Sequence, residues 1–128
     1  MAIRVVRLGT PRAADEGPRL GTVRRPPRGV PKSEFASGNW YDVWLPALSP
    51  STELMAEGRD AATDAQWAAF ERKLRTELKR PNASQLLDTL AALSHTANFS
   101  LGCYCENEAR CHRSVLRKLL AERQAQLD

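Results

Sequence analysis

Two short apolar runs lie nearly a hundred residues apart, with three helical patterns between them and a fourth after the second run. The first run is Ile3-Arg-Val-Val-Arg-Leu8 and the second is Asn98-Phe-Ser-Leu-Gly-Cys-Tyr104. Both have strand character, the first through its β-branched residues and weak alternation. A hairpin cannot join strands so separated by helices, so they are expected to lie side by side and parallel, linked by a helical crossover. The expected fold class is α/β: a small single-domain parallel sheet flanked by helices, with a long Pro/Arg-rich N-terminal loop. At 128 residues the whole of 1–128 fits one domain, long enough to bury an ordinary core without disulfides or a structural metal.

The helices between the strands announce themselves by their caps. Ser51-Thr-Glu-Leu-Met-Ala-Glu57 reads as a short helix capped by serine or threonine. Thr63 with Gln66 three positions on fits a capping box, followed by Trp67, Phe70, Leu74 and Leu78 at helical spacing. Pro81 is expected to stop this helix. Asn82-Ala-Ser-Gln85 has a similar cap form and is expected to start the next, with Leu86, Leu87, Leu90 and Leu93 as its face. The last helix is expected from about Cys111 to Gln126, burying Val115, Leu116, Leu119 and Leu120. Trp40, Trp44 and Trp67 are expected in the core, and His95 at the surface near a helix end. Residues 9–32 hold five of the eight prolines, leaving room only for a brief strand near Leu20–Arg24.

Charge is unevenly spread. Residues 1–32 carry eight Arg/Lys against two Asp/Glu, and the rest eleven against thirteen, for a net charge of +4. A basic N-terminal quarter implies either a solvated arm or an anionic partner. An anionic small molecule is the favoured partner. Nucleic acid is less favoured, because aromatics are not interleaved with the arginines of the arm. No apolar run is long enough for a membrane span. No dinucleotide or P-loop glycine motif is present. Oligomeric state and substrate identity are not encoded in any recognisable pattern.

All three cysteines fall within Leu101–Arg117, which reads Leu101-Gly-Cys-Tyr-Cys-Glu-Asn-Glu-Ala-Arg-Cys-His-Arg-Ser-Val-Leu-Arg117. Three clustered thiols cannot all pair, which points to a reducing compartment and a cytoplasmic location. The stretch spans a strand end, a polar loop and a helix start, the usual ligand position in an open α/β sheet. Alternation puts Cys103 and Cys105 on one side of the strand. Cys111 falls at the first turn of the last helix, where free amides and Arg110 and Arg113 favour a thiolate.

Three chemistries compete for this junction. In the first, Cys111 and His112 are catalytic, as nucleophile or redox centre and its assistant. In the second, Cys103, Cys105, Cys111 and His112 hold zinc or iron. In the third, Arg113 and Ser114 on the helix, with Arg24, Arg25 and Arg28 from the basic arm, bind an anion. Glu106 and Glu108 read as solvated charges, either of which could orient His112. Whether the chain is an enzyme stays open at this level.

Several segments together resemble the DUF488 family. They are Arg19-Leu-Gly-Thr-Val-Arg-Arg-Pro-Pro-Arg-Gly-Val-Pro-Lys32, Trp44-Leu-Pro-Ala-Leu-Ser-Pro-Ser-Thr-Glu-Leu54, the helix with Trp67 and Phe70 followed by Glu77, and Leu101–Leu116. The resemblance implies a compact α/β domain of the bacterial cytoplasm and supplies no reaction. It matches Arg28-Gly29 to a basic Arg-Gly segment, Cys111-His112-Arg113 to a Cys-His-Arg turn, and Cys103 to a strand cysteine. Many relatives place a carboxylate near position 105, where this chain has Cys105 followed by Glu106.

Overall fold

The computed structural model describes residues 1–128. Strands β1 (Ile3–Arg7), β2 (Arg19–Gly21), β3 (Val43–Trp44) and β4 (Phe99–Cys103) form one parallel sheet in the order β1-β4-β2-β3. The two expected strands are neighbours, paired from Ile3↔Phe99 to Arg7↔Cys103. β4 is flanked by β1 and β2 and buried along its whole length, as suits an inner parallel strand. The arm is irregular on either side of β2, with only a short 3₁₀ turn at Lys32–Glu34 before β3.

Helices α1 (Thr52–Asp60), α2 (Asp64–Glu77), α3 (Pro81–Leu93) and α4 (His112–Glu122) complete the domain. Ser51 caps α1 through Leu54 N–H, and the Thr63–Gln66 capping box starts α2. α3 begins two residues earlier than its cap-like sequence, with Asn82 as cap, suggests. Pro81 occupies the first helical position, and Arg80 before it is extended (φ −58°, ψ 144°). Proline's fixed φ suits a first turn and its missing N–H is no loss there, so Pro81 opens a helix rather than merely ending one.

Ile3, Leu20, Phe99 and Leu101 face the helices and join Leu54, Phe70, Leu74, Leu87, Val115, Leu116 and Leu120 in the main core. The opposite sheet face has no helix and is covered by irregular chain. There Arg19, wholly buried, donates to Glu16, to the carbonyls of Thr10, Pro11 and Asn39, and Ser100 Oγ also donates to Glu16. Gly21 is required on this face, because a Cβ there would overlap the Tyr41 ring.

Two core expectations need correction. Trp44 is 43% exposed, because β3 is the edge strand, and its indole N–H donates to Val23 O. Leu93 is 47% exposed, because α3 buries Ala83, Leu87, Leu90 and Ala91 instead. Trp40 and Trp67 are half-buried. α4 ends at Glu122, after which Leu127 bridges back to Ile3. No helix is long and apolar enough to cross a membrane.

Candidate functional site

The C-terminal ends of β1, β2 and β4 open onto a pocket of about 1070 Å³. Cys103, Cys105, Cys111 and His112 line it, with Trp40, Trp67, Phe70 and Tyr104 among the walls. Six arginines reach it: Arg7, Arg24, Arg25, Arg28, Arg59 and Arg110. No carboxylate lines it. The basic arm and the cysteine cluster therefore share one concavity. Arg7, Arg59 and Arg110 are ion-paired with Glu106, Asp60 and Asp64, and Arg24 donates to the carbonyls of Ser49 and Pro50. Arg25 and Arg28 line the pocket, and their guanidinium groups make no protein hydrogen bond or ion pair.

Cys111 lines the same pocket. Cys111 is the N-cap of α4, extended at φ −125° and ψ 152°, yet its side chain caps nothing. The sulfur instead lies 3.7 Å from His112 Nδ1 and accepts from Arg113 Nε at 3.4 Å. His112 Nε2 is 2.6 Å from the carbonyl oxygen of Thr22 and 3.3 Å from its Oγ1. A carbonyl only accepts, so Nε2 carries a hydrogen and Nδ1 faces the sulfur, able to accept the thiol proton and then to donate it back to the thiolate. This is the nucleophile–base–orienter arrangement, with a backbone carbonyl as the orienting group.

Hydrogen bonds from Cys103 and Cys105, then from His112, outweigh burial and hold the Cys111 thiol far below the usual thiol range. The same contacts act oppositely on the neighbours. Cys103 is pushed up by its hydrogen bonds with Cys105 and Cys111 and by burial. For Cys105, the Cys103 hydrogen bond favours ionisation, but the bond to Cys111 and burial prevail and raise it. The cluster therefore favours ionisation of Cys111 over that of Cys103 and Cys105.

Arg113 and Ser114 do not line the pocket. Arg113 is buried, and its remaining donors reach Val6 O at 2.6 Å and Cys105 O at 2.7 Å. The anion it holds is the Cys111 sulfur. Ser114 Oγ donates back to Cys111 O. Neither glutamate orients His112: Glu108 pairs with Arg117 and Glu106 with Arg7. Thr22 does so, a role invisible in sequence because a backbone carbonyl supplies it. His95 lies at the surface, as expected, with Nε2 2.9 Å from Gln124 O.

The same atoms form a group that could hold a metal ion. The donor atoms of Cys103, Cys111 and His112 lie within 4.8 Å of one another, and all three residues are buried. Exposed Cys105 stands beside them, its sulfur 3.8 Å from that of Cys103. Tetrahedral zinc with Zn–S of about 2.3 Å would place ligand sulfurs about 3.7 Å apart, so the donor set suits a soft divalent ion.

Fold and junction together define a small parallel α/β protein with a Cys-His-Arg turn at the sheet's C-terminal edge. The chain belongs to the DUF488 family: the profile of its DUF488-N3a group, described as the active DUF488-N3 subclade, matches residues 3–124. No curated protein and no solved structure matches it.

Proposed function

We propose that this protein binds an anionic small molecule in the arginine-lined pocket and presents it to the Cys111 thiolate. The observation that carries this reading is the position of the Cys111 sulfur between His112 Nδ1 and Arg113 Nε, in a pocket without carboxylates. His112 takes the thiol proton on Nδ1, while Thr22 O keeps the ring in place. Arg25 and Arg28, free of protein partners, pair with the ligand's negative charge. Three free thiols suit work in a reducing cytoplasm.

The test is protection of a thiol by an anion. Reduced protein is alkylated with iodoacetamide across a series of inorganic phosphate concentrations, and each cysteine is followed by peptide mass spectrometry. Cys111 should react first, and phosphate should slow it. In an Arg25→Ala/Arg28→Ala variant the protecting concentration should rise at least about tenfold, the loss of roughly one charge-assisted contact. A Cys111 that reacts no faster than Cys103, or protection unchanged in the variant, would remove the reading.

The compact donor set of Cys103, Cys111 and His112 supports a second reading, a zinc or iron centre. Elemental analysis of protein purified under reducing conditions without a metal-chelating tag separates the two. Stoichiometric metal that disappears in Cys111→Ser would replace the thiolate reading with a metal site.

A further inference from the structure

We propose that Cys105 is a resolving cysteine, which closes a reversible disulfide onto Cys111 when the pocket meets a peroxide. The inference rests on the thiolate reading of Cys111 and adds a modification site to it.

Two thiols neighbour the Cys111 sulfur, and the backbone separates their roles. Cys103 is the last residue of β4, hydrogen-bonded in register beside Arg7 and buried. Its Cα cannot move without breaking the centre of the sheet. Cys105 lies two residues past the strand, in no regular element, and is exposed. Its sulfur lies 3.8 Å from that of Cys103, whose own sulfur is within 4.8 Å of the Cys111 sulfur. Arg113 holds both halves of the pair, donating from Nε to Cys111 Sγ and through another nitrogen to Cys105 O at 2.7 Å. One buried guanidinium thus holds the reactive sulfur and the backbone that carries the second thiol.

The chemistry closes without a further reactant. The Cys111 thiolate attacks a peroxide oxygen; the O–O bond breaks and an S–O bond forms. The departing hydroxide takes up a proton to become water, leaving Cys111 as a sulfenic acid. The Cys105 sulfur, losing its proton, then attacks the Cys111 sulfur. An S–S bond forms, the S–O bond breaks, and a second water leaves. The two thiols give up two electrons and the peroxide takes them. A dithiol restores both thiols by exchange. The disulfide removes the nucleophile from the pocket and shields it from irreversible oxidation.

The full chain is treated with hydrogen peroxide, quenched with an alkylating reagent and mapped after trypsin, since cleavage at Arg110 separates Cys111 from Cys103 and Cys105. The expected result is one intrachain link, a fall from three free thiols to one, and recovery with dithiothreitol. Cys103→Ser should keep the link. Cys105→Ser should lose it and accumulate dimedone-trapped Cys111 sulfenic acid. A link that survives in Cys105→Ser, or a wild-type chain that stops at sulfenic or sulfinic acid, overturns the assignment. Phosphate protection, measured separately on reduced protein, tests the anion pocket. A link formed without that protection leaves this inference standing and the pocket reading refuted. A Cys111 inert to both reagents refutes both.

Discussion

Replacing Arg113 with leucine separates two roles that the sequence alone could not distinguish. The side chain is buried and donates to Val6 O at 2.6 Å, Cys105 O at 2.7 Å and Cys111 Sγ at 3.4 Å. Leucine would leave two part-buried carbonyls and the Cys111 sulfur without their donor. Water can reach the part-buried carbonyls, so each of the three orphaned acceptors costs about 1–2 kcal/mol; apolar packing of the leucine returns about 1 kcal/mol, and the net loss should be about 2–5 kcal/mol. Against a typical total of about 5–15 kcal/mol the variant should fold, with a much lower urea midpoint at unchanged slope. Alkylation of Cys111 near neutral pH should slow several-fold, because a cation has left the thiolate. Urea melts of wild type, Arg113→Leu and Arg113→Lys, with alkylation rates on the same samples, measure both effects. A midpoint within about 1 kcal/mol of wild type would refute the structural account of Arg113. Lost phosphate protection with unchanged stability would return Arg113 to the ligand pocket.

Other outcomes follow from the same geometry. Once the thiol proton has passed from His112 to solvent, stability should rise with pH toward 9.0, the usual thiol value, because unfolding then returns a proton to Cys111. The slope is at most about 1.4 kcal/mol per pH unit, and Cys111→Ser should flatten it. Above 9.0 the sign reverses, since Cys103 and Cys105 stay protonated in the fold and ionise in the unfolded chain. In acid, Glu16, Asp42 and Glu71, all lowered by arginine or lysine partners that outweigh burial, contribute stability present above their ordinary 3.8–4.5 and lost below it. Chemical denaturation across pH checks all three windows. Gly21→Ala should destabilise by about 1–3 kcal/mol through overlap with Tyr41, and an unchanged melting temperature would contradict the close packing. Arg25→Ala/Arg28→Ala should stay within about 0.5 kcal/mol of wild type, in contrast to Arg113→Leu, because neither guanidinium has a protein partner.

Local signals in the sequence carried most of the fold. Ser51 and the Thr63–Gln66 box mark helix starts because capping is decided within four residues. The pairing of β1 with β4 was legible from connection length. Pro81 was ambiguous because proline both ends one helix and opens another. Trp44 was misplaced because hydrophobicity does not reveal an edge strand. The candidate site divided in the same way. Its location came from the strand-to-helix junction, and Arg24, Arg25 and Arg28 reach the pocket from the arm as expected. Arg113 instead turned inward, because the carbonyls of Val6 and Cys105 that receive it come from distant chain. Arg110 was legible as the neighbour of Cys111, but Thr22 and the contributions of Arg7 and Arg59 were missed, since nothing local in the sequence ties them to the cysteines.

The strand order also dictates when the molecule can become whole. Ile3 meets Phe99 across 96 positions, and β1 has no other strand partner. During synthesis the first strand emerges early and waits until nearly four-fifths of the chain has been made. β2 and β3 can pair early, but over only two residue positions. The local helices α1 to α3 can form first, and the sheet closes late around β4, with high contact order and a correspondingly slow final step. The reactive edge is therefore assembled last. Cys103, Cys105 and Cys111 reach the pocket only as the chain completes, so a stalled or truncated product carries the basic arm without its thiols.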